Sequence, residues 1–257
     1  MNKSDSFSNA AAMDESIEQL SIGQVIILHL LPGAIGTVVY ILSVPIFANL
    51  GYPSITALYL PMILAVILLE LGYLFYQGQK KYGQRSLTGV VNYRERVPGW
   101  MYVAFPLLIL VWGVLVTGLI SPLDNLILNK SFGWLPDWYT LQNVLDVKTT
   151  YPRETILVTA ICALILNGLL GPIVEELYFR GYLLPRISRL GRWAPLLNVA
   201  LFSLYHFWTP WMFFSRVVLL IPMVYVVKWK KNIYIGMVAH CLLNLIGTIV
   251  LFAQLLG

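Results

Sequence analysis

The sequence predicts an all-α fold, a polytopic bundle of transmembrane helices that lies in the cell membrane with its N-terminus in the cytoplasm. The first observation is the composition: 58% of the 257 residues are hydrophobic and only 11% are charged, whereas a soluble domain carries about 25% charged residues. The mean hydropathy is +0.75. Too few polar side chains remain to cover a soluble globule, so the lipid bilayer is the expected partner of the protein surface.

The second observation is a series of seven apolar segments, each long enough to cross the hydrocarbon core, which takes about 20 helical residues. The fourth segment is too long for one straight helix, and the pair Gly171-Pro172 predicts a kink or break within it. An eighth span is the alternative if the first segment is interrupted at Pro32 or Pro45. The seven predicted spans are roughly 22–48, 55–77, 99–121, 155–187, 194–210, 212–227 and 233–256.

The third observation is the placement of the basic residues, which decides the orientation. The connections after the second, fourth and sixth spans carry most of them, and the positive-inside rule places these connections in the cytoplasm. The net charge of +5 therefore follows the membrane topology and indicates no nucleic-acid partner. The basic residues of these connections are Lys80, Lys81, Arg85, Arg94, Arg96, Arg186, Arg189, Arg192, Lys228, Lys230 and Lys231.

The domain organisation is simple. Residues 1–20 are predicted to be a polar cytoplasmic tail, and residues 21–257 a single transmembrane domain. The long outer connection, 122–153, contains the stretch FGWLPDWYTLQNV, which predicts a short amphipathic helix along the membrane interface.

Polar residues inside the spans point to a functional site. A charged side chain at the bilayer centre costs about 2.5–3.5 kcal/mol, so such residues are expected to be paired or functional. Counted at about 1.5 Å per residue from the nearest cytoplasmic charges, Glu175 lies about 16 Å deep, His206 about 21 Å and His240 about 14 Å. Three helices thus bring polar groups to a similar depth, which predicts one buried site. The polar residues of the spans are His29, Glu70, Glu175, Glu176, Arg180, His206, His240 and Asn244.

Helical spacing separates the two neighbouring glutamates. Glu176 and Arg180 lie four residues apart with the acid first, the favourable order for an ion pair. Adjacent residues on a helix point about 100° apart, so Glu175 and Glu176 are expected to serve different faces. We therefore expect Glu176 and Arg180 to neutralise each other and Glu175 to be left without a local partner, available as a general base.

Three short motifs carry the polar residues in chain order. They read EELYFR at 175–180, FSLYH at 202–206 and HCLLN at 240–244. They match the patterns E-E-x-x-x-R, F-x-x-x-H and H-x-x-x-N of the CPBP family, the CAAX proteases and bacteriocin-processing enzymes, also called Abi. Over residues of about 155–250 the chain resembles these intramembrane endopeptidases, which are related to the type II CAAX prenyl endopeptidases.

The resemblance implies a helical membrane fold with a polar cavity open toward the cytoplasmic side, and hydrolysis of a peptide bond by a glutamate-activated water. It implies that Glu175 is the base and that His206 orients the water. His240 and Asn244 would then stabilise the oxyanion. The supporting residues would be Glu176, Arg180 and Phe202.

No metal or other cofactor is expected. The sequence has no H-E-x-x-H motif, and the two motif histidines lie on separate helices. Zinc bound by Glu175, His206 and His240 is the alternative, because these residue types form catalytic zinc sites. The two cysteines, Cys162 and Cys241, lie in apolar runs and indicate neither a disulfide nor a thiolate metal site.

Other interpretations remain beside the endopeptidase. Glu70 is expected to make a structural hydrogen bond to a neighbouring helix, and His29 to be structural or interfacial. A non-catalytic membrane scaffold or immunity factor of the same fold is the second function. A proton-coupled transporter is the third, although the duplicated halves typical of transporters are not recognisable in the sequence. The expected substrate is a membrane-associated protein or a peptide.

Overall fold

The protein is a bundle of helices, as the sequence predicts. The computed structural model describes residues 17–140 and 146–257, and no β-strand occurs in these ranges. Within the bundle α7 packs against α3 and α4, and α5 packs against α1 and α6. The helices are α1 (Ile22–Asn49), α2 (Ser54–Tyr82), α3 (Met101–Ser131), α4 (153–183), α5 (Ala194–Tyr205), α6 (Phe213–Lys230) and α7 (Ile233–Leu256).

The outer surface of the bundle is apolar. Only 22% to 39% of the most hydrophobic window of each long helix is buried inside the protein. Large apolar side chains such as Leu119, which is 79% exposed, cover the remaining faces. A bilayer must cover such a surface, so the chain is a multi-pass membrane protein.

Six continuous helical stretches within the described residues are long and apolar enough to cross a membrane. One of them, Arg153–Tyr205, is 53 residues long and contains both α4 and α5. The backbone between these helices is non-helical at Ile187 and Gly191, so the stretch turns back there. The fourth and fifth predicted spans therefore correspond to two helices, α4 and α5, that belong to one continuous stretch.

Three details of the predicted spans are wrong. The fifth span was expected to reach residue 210, but α5 ends at Tyr205, because Pro210 and the residue before it disfavour continued helix. The eighth span does not form, since α1 continues through Pro32 and Pro45. The third span was expected to end at residue 121, but α3 continues to Ser131.

Of the kink or break expected at Gly171-Pro172, the break is absent, because α4 is helical throughout. Instead, two stretches beside it, Leu166–Leu170 and Glu176–Leu183, have the wider i→i+5 repeat of a π-helix. Proline lacks the N–H that an α-helical bond needs, and a wider turn is one way for a helix to accommodate this loss.

The predicted outer connection is mostly helical. Part of the stretch FGWLPDWYTLQNV forms a short helical turn at Asp137–Thr140, and a second turn follows at Val147–Thr150. Residues 141–145, which include the end of the predicted interfacial helix, lie outside the described residues, as do residues 1–16 of the predicted tail.

The three basic connections meet at one end of the bundle, which we call the basic end and define by residues 83–100, 184–193 and 231–232. The Asn92 N–H donates to the Gly181 carbonyl over 2.8 Å, and the Glu95 N–H donates to the Lys231 carbonyl over 2.9 Å. Val90 and Val91 are buried in the core beneath. The connections predicted to share one side of the membrane therefore lie together, and the packed 83–100 segment closes this end.

Candidate active site

A cavity of about 600 Å³ lies between the helices, and the four predicted catalytic residues line it. Glu175 comes from α4, His206 from the residue after α5, and His240 and Asn244 from α7. Phe202 lines the cavity as well. The structure therefore brings together residues that are up to 69 positions apart in the sequence.

The cavity extends away from the basic end. Its lining includes the first turns of α2 and α6 and the last turns of α7, all of which lie opposite that end. The resemblance implied an opening toward the cytoplasmic side, where the basic connections are predicted to lie. Instead, the 83–100 segment packs onto that end, and the cavity lies in the other half of the bundle.

The predicted ion pair between Glu176 and Arg180 is present. Glu176 Oε1 lies 3.3 Å from Arg180 Nη1, and both side chains are 0% exposed. The guanidinium also lies 4.0 Å from the centre of the Phe202 ring. This cation–π contact connects the first motif to the second. None of the cavity wall comes from Glu176 or Arg180.

His240 contacts both glutamates, so Glu175 has a partner on another helix, whereas the sequence analysis considered only partners on its own helix. Its Nδ1 lies 3.0 Å from Glu176 Oε1, and its Nε2 lies 3.7 Å from Glu175 Oε2. Glu175 and Glu176 do point in different directions. Because the two ring nitrogens lie on opposite sides of the imidazole, each carboxylate can approach one of them. An ionised Glu176 can only accept, so Nδ1 donates and Nε2 faces Glu175.

His206 is fixed by its own helix. Its Nδ1 lies 2.8 Å from the Phe202 carbonyl, which can only accept, so Nδ1 carries a proton. In the neutral ring, Nε2 then carries the lone pair. The ring packs against Phe202, Tyr205 and Trp208, with centroids 4.8 to 4.9 Å apart. The backbone leaves the helix at this residue, so the imidazole sits at the end of α5 on the cavity wall.

Asn244 is held by a residue that sequence reasoning missed. Its Nδ2 donates to the carbonyl of Asn167 over 3.0 Å, and the Asn167 side chain donates to Thr248 Oγ1 over 3.1 Å. Asn167 lies on α4 in the stretch with the wider turn and lines the cavity. Asn167 is a polar residue inside a predicted span, and this feature could have identified it from the sequence.

Comparison with protein families identifies the part of the chain that carries these residues. Residues 157–246 match the family described as type II CAAX prenyl endopeptidase Rce1-like. This part of the chain is similar to the Rce1-like domain. The match lies within the predicted core of about 155–250 and contains all three motifs. It confirms the resemblance to the CAAX protease family and supports intramembrane endopeptidase activity in general. No curated protein and no protein of solved structure matches the chain.

A further carboxylate lies beside the site. Glu70 on α2 is 0% exposed, and it interacts electrostatically with Glu175 and Arg180 and lies near the Tyr205 hydroxyl. Within the described residues neither carboxylate oxygen has a hydrogen bond of good geometry. The hydrogen bond that Glu70 was expected to make to a neighbouring helix is therefore not formed with good geometry.

His29 is a structural core residue, in line with the structural alternative. Its Nδ1 lies 2.8 Å from the Val25 carbonyl, and its Nε2 lies 3.0 Å from Asn198 Nδ2. The side chain is 0% exposed. Both cysteines are free, as the sequence indicates.

Two charged cavity residues were missed by the sequence analysis. Asp124 was assigned to the outer connection, but it lies on α3 because that helix continues to Ser131. Arg216 lies in the first turn of α6 and faces the cavity. Charges near the ends of predicted spans usually lie at the interface, so the sequence held no signal that these two point inward.

The alternative zinc site does not fit the side chains. No three His, Cys, Asp or Glu side chains in the described ranges are arranged to hold a metal ion. We therefore derive no step through a metal.

Proposed function

We propose that this protein is an intramembrane endopeptidase that hydrolyses a peptide bond of a membrane-associated protein or peptide, with Glu175 activating the attacking water. One observation carries the proposal. Glu175 lines the cavity beside His206, His240 and Asn244, while its neighbour Glu176 is held in a buried ion pair. A carboxylate on the cavity wall is able to reach a bound water, and the paired carboxylate is not.

The first step is the attack of water. Glu175 takes one proton from a water molecule, and the lone pair on His206 Nε2 accepts a hydrogen bond from the O–H that remains. The oxygen attacks the peptide carbon, and the carbonyl becomes an oxyanion. Asn244 has a second amide N–H beyond the one donated to Asn167, and His240 donates from Nε2 when both ring nitrogens are protonated. Each such donor typically contributes about 2.7–4 kcal/mol to stabilising the transition state.

The second step is collapse of the tetrahedral intermediate. The C–N bond breaks, and Glu175 gives its proton to the leaving nitrogen. The products are a peptide with a new carboxylic acid, which ionises by giving its proton to solvent, and a peptide with a new amine, and Glu175 is again ionised. Glu176 positions His240 through the bond to Nδ1, and Arg180 balances the charge of Glu176.

The experiment that tests the proposal compares membrane peptidomes of cells that express the wild type, Glu175→Gln or Glu154→Gln at equal levels. Glu154 lies in the first turn of the same helix and is exposed, so its substitution is a matched control. We expect specific cleavage products to vanish only with Glu175→Gln, and these products identify the substrate. If Glu175→Gln is folded and its peptidome equals that of the wild type, the protein is a non-catalytic scaffold.

We also propose that hydrolysis needs no metal ion. The purified protein should cleave the substrate so identified at an unchanged rate after treatment with a strong zinc chelator. Loss of cleavage with the chelator, and its recovery when zinc is added back, would contradict this proposal and leave the role of Glu175 open.

A further inference from the structure

The wall of the cavity is buried near the basic end and partly exposed farther from it. Counted along their helices, the lining residues nearest the basic end are Glu175, Phe202 and His240, and each is at most 7% exposed. The partly exposed lining residues lie farther away, as Ile55 at the start of α2 and Met212 before α6 illustrate. Access to the cavity is therefore expected from the side opposite the basic end.

The connection between α5 and α6, residues 206–212, gives the cavity a recess on that side. α5 has 12 residues and α6 has 18, so they rise only about 18 Å and 27 Å from the basic end. The hydrocarbon core is about 30 Å thick, so the connection lies below the opposite membrane boundary. α3, with 31 residues, passes beyond that boundary. Thr209 and Met212 of the connection line the cavity, and the recess therefore borders it.

The segment 132–140 packs against this connection without entering the cavity. The Tyr139 hydroxyl donates to the Phe207 carbonyl over 2.9 Å, and the rings of Phe132 and Trp211 lie 6.2 Å apart. None of the described residues 132–140 lines the cavity. The segment therefore supports the cavity wall from outside.

Polar and charged side chains extend along the cavity from Glu175 toward the recess. Asn244 and Thr248 follow one another by one helical turn on α7, and Arg216 and Asp124 line the cavity in its far half. Charged residues inside a membrane protein almost always face the bundle interior or a water-filled cavity. Hydrolysis consumes a water molecule at Glu175, and this polar wall offers water a path to it.

The basic residues determine which side of the membrane the recess faces. The three connections of the basic end and their adjoining helix ends carry eleven Lys and Arg residues. The described residues at the corresponding places of the opposite end carry three, Lys130, Lys148 and Arg153. The positive-inside rule therefore places the basic end in the cytoplasm and the opposite end outside. We call the opposite end the outer end, and it comprises the connections 50–53, 132–140 and 146–152.

We propose that water and substrate reach Glu175 from the outer side of the membrane, and that the substrate is a peptide segment which an export reaction has already carried across the bilayer. The route does not depend on cleavage, but the substrate class rests on the proposed endopeptidase function. A protein that stays in the cytoplasm cannot reach the site by this route.

The depth of Glu175 adds a condition on the substrate. Glu175 lies eight residues, or about 12 Å, from the end of α4, which leaves about 18 Å of the hydrocarbon core on its outer side. An extended chain spans about 3.3 Å per residue, so roughly five extended residues must enter the cavity from outside. The segment that is cut must therefore be unfolded.

The test measures the accessibility of single thiols from each side of the membrane. Both native cysteines are replaced by alanine, and either Thr248→Cys or Ser215→Cys introduces one thiol into the cavity wall. The probe is a membrane-impermeant trimethylammonium methanethiosulfonate, applied to right-side-out or inside-out vesicles. It reacts with thiols that water reaches. We expect both cavity thiols to react at least ten times faster from the outer side.

Three control substitutions calibrate the two sides. Lys148→Cys at the outer end should react only from outside, and Lys80→Cys at the end of α2 only from the cytoplasmic side. Leu119→Cys on the apolar outer surface of α3 should react from neither side. Thermal unfolding checks that each variant is folded. If a cavity variant does not fold, Leu58→Cys replaces it, because Leu58 also lines the cavity.

Several results would overturn the proposal. A folded cavity variant that reacts faster from the cytoplasmic side, equally from both sides or from neither side contradicts the outer route. Exchange of the two control sides, with Lys80→Cys reacting from outside, also contradicts it, because the basic end would then face outward.

The substrate class has its own test in the peptidome comparison. Products that vanish with Glu175→Gln should come from chains that are exported or that expose a segment outside the cytoplasm. A product cut from a protein that stays entirely in the cytoplasm overturns the proposal.

The outcome is distinct from that of the cleavage test. Thiol labelling needs no cleavage, so a cytoplasmic route refutes this proposal and leaves the role of Glu175 intact. Conversely, an unchanged peptidome in folded Glu175→Gln refutes the endopeptidase and its substrate class, and the thiol rates still decide the route.

Discussion

Toward the basic end, the helices close around buried aromatic and aliphatic side chains, whereas in their other half they surround a cavity of about 600 Å³. Leu183, Leu184 and Ile187, for example, are fully buried in the closed half. The 83–100 segment covers that half through backbone hydrogen bonds. The difference indicates that the closed half holds the helices in position, and that the space for a ligand lies in the other half.

Glu175 and Glu176 lie on the boundary between the two halves. Glu175 contributes to the cavity wall, and Glu176 is fully buried against Arg180 and His240. Two chemically identical neighbours therefore have different environments. We expect substitutions in the closed half and at the boundary to change the stability of the bundle, and those on the cavity wall to change binding and cleavage.

Removal of Arg180 should have the largest effect on stability. Arg180→Met leaves the fully buried carboxylate of Glu176 without its cation, and breaking such a pair costs about 3–5 kcal/mol of unfolding free energy. The measurement is equilibrium unfolding in detergent, with Arg189→Met as an exposed control. The double variant Glu176→Gln with Arg180→Met should recover part of the loss, because no charge is then left unpaired. A loss below 1 kcal/mol in Arg180→Met would show that the pair does not stabilise the boundary.

Gly236 should be the next most sensitive position. A Cβ at Gly236 would lie 2.8 Å from Glu176 Oε2 and 2.8 Å from Val227 Cγ2. Gly236→Ala should cost about 2–3 kcal/mol through overpacking. It should also slow cleavage about tenfold, because a displaced Glu176 no longer positions His240. Unfolding and initial rates measure the two effects.

The control for this position is Gly247→Ala on the same helix, where a Cβ would meet no atom within 4 Å. It should leave cleavage unchanged and be neutral or stabilising, because alanine is the better helix former. Equal effects of the two substitutions would show that α4 and α7 do not pack as closely as described.

A substitution in the closed half should have the smallest effect. A Cβ at Gly181 would lie 2.6 Å from Val91 Cγ1, the end of a single side chain that can move. Gly181→Ala should cost about 1 kcal/mol and loosen the 83–100 segment, while cleavage stays at the wild-type rate. Trypsin should then cut faster at the exposed Arg94 and Arg96.

Val91→Ala provides the space that the new methyl group needs, so the double variant should regain resistance to trypsin. If Gly181→Ala reduces cleavage as strongly as Gly236→Ala does, the closed half and the cavity are coupled, and the division between them is wrong.

The fold and most of the site could be predicted because both depend on features that a sequence displays directly. Apolar length reveals helices that cross a membrane, and polar residues inside such helices are rare enough to stand out. Similar depth then predicted that Glu175, His206 and His240 lie together, without any knowledge of helix packing. Asn167 was equally visible and was overlooked.

The remaining features depend on contacts between helices. The sequence shows that Glu175 and Glu176 point apart, but not that the His240 ring lies between them. The inward direction of Asp124 and Arg216 depends on where α3 and α6 begin and end, and such boundaries are uncertain by several residues. The orientation of the closed half depends on how the 83–100 segment folds back onto Gly181, which local sequence does not specify.

The central claim is that Glu175 activates water and forms no bond to the substrate. The most direct test is a single turnover in water enriched in oxygen-18, with the substrate that the peptidome comparison identifies, followed by mass spectrometry of the product and of the peptide that contains Glu175. We predict one oxygen-18 atom in the new carboxylate of the product and none in Glu175. Label in the Glu175 carboxylate, or an unlabelled product, would contradict the claim, since either result requires a covalent acyl intermediate on the protein.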